Sequence, residues 1–471
     1  FITPVLVIKT NAQADKRLVQ AEQYFAAGDY YAAASLYGQF LKPKENRMSN
    51  NNFPLNANRN AEGMTGKYGT KTDILYRQAE SFRLANYLEE AAALYKECFE
   101  KDSIKYASAM YWYAVCQRGL KNYDVAEQSV LYFIDHAHES TLLKDVEKEK
   151  QTLAFIKEQL SRPDTVLYSI QKTTWPLGNE KGFFAPTFQS GQLFVTSTSA
   201  DSGGTGLNPY RNRLFSSIYS NGNIWDEQPL SIEGLDSNMN QGAASLSSDG
   251  KYLYFTQWKN ENGQTVSSIY YSTKTVNGWG RPRLLGSVNM AGSSSKQPFC
   301  SPDGNYLFFA SDKKGGLGGF DIWYALIKED GTTGVAVNAG KKINTPGNEQ
   351  SPFYHAATNT LVFASDRMPG MGGFDLFSSK RNEDEWNTAE NMGYPVNSSR
   401  DDVYFFSAGE KNLFDNAFFS SDRGSQCCLS VYAVTKAPKK KLITGTVRSC
   451  EDNSPLANAD VSMKDASGIV L

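Results

Sequence analysis

Apolar residues along this chain follow two different periods. Through residues 15 to 160 they recur at helical steps. Tyr30 precedes Ala33, Tyr37 and Phe40; Leu88 precedes Ala91, Tyr95 and Cys98; Tyr123 precedes Ala126, Val130 and Phe133, each set at the same offsets. Steps of three and four residues place each set on one helix face. The mix of small and large side chains lets paired helices approach closely. The pattern predicts about three helix pairs with residues 140–160 as a capping helix, and the alternative is a generic bundle of α-hairpins. Residues 43–72, rich in Asn and Gly with two prolines, are predicted to loop out between the first two pairs. Hairpins of this kind stack to bury their faces and leave a concave groove suited to a peptide or a neighbouring protein.

From residue 164 to 436 the period shortens to that of strands. Units begin near Pro186, Ala244, Pro298, Pro352 and Asp402. Each opens on a short apolar strand, turns, and continues in an alternating strand such as Tyr252-Leu253-Tyr254-Phe255 or Tyr306-Leu307-Phe308-Phe309. Alternation predicts one face of each strand in the core between units. A third strand follows, as in Ile269-Tyr270-Tyr271, Asp321-Ile322-Trp323-Tyr324 and Asp375-Leu376-Phe377. One phrase recurs at a step of 54 residues: Phe309-Ala310-Ser311-Asp312 with Gly318-Gly319-Phe320-Asp321, then Phe363-Ala364-Ser365-Asp366 with Gly372-Gly373-Phe374-Asp375. Gln297-Pro298-Phe299 and Ser351-Pro352-Phe353 keep that step, as do Ser248-Asp249-Gly250 and Pro302-Asp303-Gly304. Repetition at this length with several short strands per unit predicts a β-propeller of five blades, or six. Val166-Leu167-Tyr168-Ser169-Ile170 lacks the opening phrase and is expected to close the ring by joining the last blade, which removes free sheet edges.

Composition narrows the partners. The 471 residues exceed one core and imply several domains. With 48 basic and 50 acidic residues and no long like-charge block, nothing points to nucleic acid. No apolar run reaches 18 residues, so no transmembrane segment is expected. Phe1-Ile2-Thr3-Pro4-Val5-Leu6-Val7-Ile8 followed by Ala12-Gln13-Ala14 reads as the remnant of a secretory signal peptide over residues 1–14, against the plainer reading of a buried strand. No cysteine follows that site, so no lipid anchor is expected there.

Candidate chemistry is sparse. In the Ser-Asp…Gly-Gly-Phe-Asp phrase, glycines are expected to supply positive φ and Asp312 and Asp321 to accept turn amides; a calcium site is the less favoured alternative. No Gly-x-Ser-x-Gly elbow, phosphate loop or dinucleotide fingerprint is present. His136 and His138, with Asp135 and Glu139, read as a solvated helix end in preference to a weak metal site, and His355 falls in a blade turn without an evident partner. Cys98 and Cys116 fall on successive helices. Cys427-Cys428 is a vicinal pair, and an oxidising compartment would allow one of it to bond Cys450; otherwise these are small buried hydrophobes. No catalytic, cofactor-binding or metal residue is assigned, and no enzymatic activity is expected.

The helical offsets resemble the tetratricopeptide repeat over about 120 residues, and the strand units resemble the WD40-like repeats of TolB-type propellers. After Lys436-Ala437-Pro438-Lys439-Lys440-Lys441, the run Ile443-Thr444-Gly445-Thr446-Val447 with Pro455-Leu456, Ala459, Val461 and Gly468 resembles the start of a carboxypeptidase regulatory-like domain, a transthyretin-like β-sandwich truncated at Leu471. The expected class is therefore multidomain α plus all-β: signal remnant 1–14, helical solenoid 15–160, propeller 164–436, and linker with truncated sandwich 437–471. In this order the pieces resemble the multidomain OmpA-family proteins of Bacteroidota, in particular the PorE-type components associated with type IX secretion. The resemblance implies a non-enzymatic periplasmic scaffold at the outer membrane that docks outer-membrane and secretion-system proteins. It assigns peptidoglycan binding to an OmpA-like domain expected beyond Leu471. A TolB-like envelope-integrity factor and a propeller-supported hydrolase or glycan-binding protein are the alternatives.

Overall fold

The computed structural model describes residues 15–42, 66–136, 142–174, 182–189, 191–200, 210–220, 223–236, 238–261, 264–383, 385–425, 428–438 and 445–462. The signal remnant, most of the Asn- and Gly-rich stretch, His138, Glu139 and Cys427 lie outside them. The chain divides into two compact units, Phe1–Lys436 and Ala437–Leu471.

Among the described residues the first unit opens with seven helices: α1 Lys16–Ala26, α2 Tyr30–Leu41, α3 Lys71–Leu84, α4 Leu88–Lys101, α5 Ala107–Gly119, α6 Tyr123–His136 and α7 Leu143–Leu160. The residues at the repeating offsets are all buried, from Ala33, Tyr37 and Phe40 to Ala126, Val130 and Phe133. The first helix of each pair ends the same way. Gly28, Asn86 and Lys121 take φ of 79°, 68° and 67°. The next amide in each case reaches back five residues: Asp29 to Tyr24 O, Tyr87 to Phe82 O, and Asn122 to Gln117 O. This left-handed cap satisfies the last helical carbonyls and turns the chain into the next helix. Asp29 caps α2 by accepting from Ala32 N, and Thr70 with Asp73 forms a capping box on α3.

The propeller has five blades. β1 (Tyr168–Lys172) pairs with the last strand. Blade one holds β2 Phe183–Gln189, β3 Gln192–Ala200, β4 Tyr210–Ser220 and β5 Asn223–Pro229. Blade two holds β6 Asn240–Leu246, β7 Tyr252–Glu261, β8 Gln264–Thr275, β9 Gly278–Trp279 and β10 Arg283–Leu284. Blade three holds β11 Ser295–Cys300, β12 Tyr306–Ser311, β13 Asp321–Leu326 and β14 Val337–Asn338. Blade four holds β15 Glu349–His355, β16 Thr360–Ser365, β17 Asp375–Asn382, β18 Glu385–Trp386 and β19 Glu390–Asn391. Blade five holds β20 Asp402–Ser407, β21 Ala417–Ser421 and β22 Ser430–Lys436. β1 runs antiparallel to β22, Ile170 opposite Val434, so the ring closes across its two chain ends. Val166 and Leu167, expected in that strand, belong instead to a short 3₁₀ turn, Pro163–Leu167.

The second strands differ from the expectation of one buried face. Leu307, Phe308, Phe309 and Ala310 are all at most 2% exposed, and β16 is buried along its whole length. Blades stack face to face, so a middle strand is covered on both sides and its apolar residues run continuously.

Every innermost strand carries a bulge, at the register shifts 184/187, 242/245, 296/299, 350/353 and 403/406. The bulged residues Ala185, Ala243, Gln297, Ser351 and Tyr404 have φ between 49° and 58°. Each bulge frees an amide that the ladder no longer pairs. The neighbouring blade accepts it. Ser420 Oγ takes Ala185 N, Thr196 Oγ1 takes Ala243 N, and Thr256 Oγ1 takes Gln297 N. Ala310 and Ala364 replace that hydroxyl in blades three and four. There the inner-strand side chains substitute, with Gln297 Oε1 accepting from Ser351 N and Ser351 Oγ from Tyr404 N. Five interblade hydrogen bonds thus ring the axis.

In the second unit the described residues form one antiparallel bridge, Arg448↔Pro455, around a tight turn. The expected β-sandwich is not seen among them; 20 described residues are too few to bury two sheet faces.

Candidate functional site: a cavity between helices and propeller

The repeated phrase does two jobs, neither of them the one expected of its glycines. Gly318, Gly319, Gly372 and Gly373 do not have positive φ. They are needed because the next blade passes directly over them. A Cβ on Gly318 would lie 2.4 Å from Thr345 O, and one on Gly372 would lie 1.8 Å from Arg400 O. The aspartates lock the loops, as expected. Asp321 Oδ2 accepts from Leu317 N (2.6 Å) and Asn338 Nδ2 (2.8 Å), and Asp375 accepts from Met371 N, Gly372 N and Asn391 Nδ2. Asp312 and Asp366 are spent elsewhere, on Ser294 N and Asn348 N. Each pair of carboxylates therefore has separate partners. The second job belongs to Phe320 and Phe374, which the locked loops deliver to the mouth of the propeller.

There they line a cavity of about 790 Å³ on the propeller axis. Its floor is the ring of bulges, including Gln297 and Tyr404. Its walls carry Phe184, Trp258, Lys296 and Gln350, and its roof is the α3–α4 turn, Arg83–Leu84 through Asn86, with the end of α5 at Arg118 and Gly119. The volume suits a small ligand or a chain end.

The roof is held by charged groups that the sequence did not single out. Arg118 is buried. Its Nε pairs with Glu149 of α7 at 2.6 Å, and its Nη1 donates to Met371 O (3.0 Å) and Ser399 O (3.2 Å) in the propeller. Arg400 answers from the propeller side, donating to Gly119 O at 3.0 Å and to Asn86 Oδ1. Asn86 Nδ2 donates to Asp422. Asn86 thus ends α3 with its backbone and bolts the turn down with its side chain. Gln159 of α7 accepts from Tyr394 N. Helix α7 is therefore a docking element as well as a cap.

Two carboxylates reach the cavity, and both are engaged. Asp401 accepts from Phe374 N (2.9 Å), and Asp422 accepts from Asp401 N (2.9 Å). Burial pushes both upward from the usual range. Asp422 is raised to about 7, helped by the neighbouring Asp401 and opposed by Arg400. Asp422 belongs to Phe419-Ser420-Ser421-Asp422, a third copy of the recurring phrase that the sequence reading missed; its aromatic-Ser-Asp ending was the available signal.

Lys296 is the cavity's distinctive group. Its amine donates to Gln350 Oε1 at 3.0 Å and sits 3.8 Å from the centre of the Phe320 ring. It makes no ion pair among the described residues. Burial holds it down at about 8, with only partial relief from Asp312.

The remaining sequence candidates lie away from this cavity. His136 stacks on Tyr132 and contacts Tyr132 O. His355 does have partners: it is buried, its Nε2 donates to Gly409 O and its Nδ1 lies 2.8 Å from Thr358 Oγ1, so it ties blade four to blade five. Gly409 lies 54 residues on, which is why the pairing is invisible locally. Cys98, Cys116 and Cys300 are buried thiols. Cys450 is free and exposed, and Cys428 is disulfide-bonded without it, so of the two alternatives left open the Cys450 bond is not formed.

The architecture is that of a five-bladed propeller roofed by helical hairpins. No family model matches the chain, and no curated protein matches it. Solved structures share the propeller part at low identity. TolB from Acinetobacter baumannii is 15% identical, over 56% of this chain and 59% of that one, with TM-score 0.33. A thermostable family-43 glycoside hydrolase is 12% identical, over 61% of this chain and 100% of that one, with TM-score 0.38. An endo-arabinase from Bacteroides thetaiotaomicron is 14% identical, over 55% and 95%, with TM-score 0.36. This chain spans about three fifths of the length of the TolB chain. At these identities and scores none of them carries an inference about activity.

Proposed function

We propose that the chain is a non-enzymatic scaffold of the bacterial envelope, acting in the periplasm at the outer membrane and holding secretion or envelope proteins. What supports this reading is the commitment of the cavity's carboxylates. Asp401 and Asp422 are bound to backbone amides and to Asn86, an arrangement suited to fixing loops and not to moving protons onto a substrate. The helical hairpins, proposed as tetratricopeptide repeats, would supply the protein-binding surface. The envelope location and the partner class come from the resemblance to OmpA-family proteins. The test is crosslinking in native membranes followed by co-purification. Capture of β-barrel or secretion components, with no turnover of peptides or glycans by the purified chain, is expected. Hydrolysis abolished by Asp422→Asn would overturn the reading in favour of a hydrolase.

A further inference from the structure

The hydrogen-bond chain at the cavity floor fixes which polar groups remain for a ligand. Ser351 N donates to Gln297 Oε1, so the Gln297 amide is oriented and its Nε2 must donate, which it does to Tyr404 Oη at 2.8 Å. The Tyr404 hydroxyl, having accepted, keeps its own proton to give. Lys296 can only donate, so the atom of Gln350 facing it is the oxygen, and the Gln350 nitrogen is left as a donor. Lys296 retains two further N–H groups. The spare polar capacity of Lys296, Gln350 and Tyr404 is therefore donors, while Asp401 already accepts from Phe374 N and Asp422 from Asp401 N and Asn86.

We propose that this cavity binds the carboxylate of a monoanionic ligand with an aromatic or apolar body, the carboxylate on Lys296, Gln350 and Tyr404 and the body between Phe184, Trp258 and Phe320. The Lys296 ammonium, which makes no ion pair among the described residues, matches one negative charge, and the Asp401 and Asp422 carboxyls that also line the cavity disfavour a dianion such as phosphate. A charge-assisted bond to a largely buried ammonium beside aromatic walls is stronger than its counterpart in water. The proposal deepens the binding reading above and rests on it only in treating the cavity as a binding site.

The experiment is calorimetric titration of the full chain at neutral pH with 3-phenylpropanoate, N-acetyl-Ala-Ala-Phe and the primary amide of each, and with inorganic phosphate as competitor. At least one acid is expected to bind and its amide to bind about tenfold or more weakly, the size of one charge-assisted contact. Whichever acid binds identifies the source as a free small acid or a peptide C-terminus. Lys296→Met should reduce the acid's affinity to that of the amide. Tyr404→Phe, which removes one oxygen and little packing, should weaken the acid severalfold and leave the amide unchanged. The proposal is overturned if neither acid binds, if acid and amide bind equally, if both variants bind the acid as the parent does, or if phosphate displaces it. A chain that captures partners, turns nothing over and binds no acid loses this inference and keeps the scaffold reading; one that binds the acid and hydrolyses substrates does the reverse.

Discussion

Replacing Arg118 by alanine would remove the central bolt between helices and propeller. Three bonds go at once, to Glu149, Met371 O and Ser399 O. The larger effect is on what stays behind. Glu149 is 5% exposed and would become an unpaired buried charge. Breaking one side of a buried pair costs about 3–5 kcal/mol. That is a large share of the roughly 5–15 kcal/mol that holds a domain folded. Glu149→Gln should cost less, because an amide oxygen still accepts from the guanidinium. Arg118→Met with Glu149→Leu should recover part of the loss, leaving about 1–3 kcal/mol for the two carbonyls that lose donors. The assay is urea unfolding followed by far-UV circular dichroism for the helices and by tryptophan fluorescence for the propeller, in a Trp112→Phe background. The parent should show coincident transitions. Arg118→Ala should split them, with the helices melting first. Coincident transitions with a midpoint moved by less than about 0.5 kcal/mol, the size of an ordinary surface change, would refute the role assigned to Arg118.

Thr256→Ala should leave the bulge amide of Gln297 without an acceptor and cost about 1–3 kcal/mol in the same assay, whereas Thr265→Ala on the cavity rim should be near neutral. Stability should have a minimum near pH 7–8. Asp375 and Asp422 are raised to about 7, so the folded chain holds more protons than the unfolded one between pH 4 and 7 and stability falls as pH rises through that window. Lys296 and Lys313 are lowered to about 8, so above that value the unfolded chain holds more protons and stability climbs again; a melting temperature rising steadily from pH 4 to 8 would contradict this. Chelator should leave the melting temperature unchanged while Asp321→Ala lowers stability by about 1 kcal/mol, through the turn bonds it removes. A chelator effect reversed by calcium would reassign these loops.

The periodic parts of this molecule were readable because each repeat states its own packing. Ala91, Tyr95 and Cys98 announce a buried helix face, and the step of 54 residues announces blades. The reason for the glycines is not legible locally, since what crowds Gly318 is the backbone near Thr345, a contact between consecutive blades and not a property of the local turn. A second repeat went unread for the same reason. Asn289, Asn344 and Asn397 each bracket the amide and carbonyl of a third-strand residue, Ile269, Ile322 and Leu376, and each follows Val or Ile four residues or so after a glycine. The cavity itself was hidden. Lys296 and Gln350 occupy the same repeat position as Gly242 and become a site only when five blades converge. Arg118 and Glu149 meet across helices and then across a docking surface that no period encodes.

Hydrogen exchange of the native chain tests most directly whether helices and propeller are one body roofing the cavity. The amides of Tyr394 and Asp401 are held only across or beneath that junction, by Gln159 and Asp422. They should exchange as slowly as the amides of β12 in the propeller core. Rapid exchange at residues 394 and 401, with β12 fully protected, would contradict the account and leave the helices as a loosely tethered neighbour.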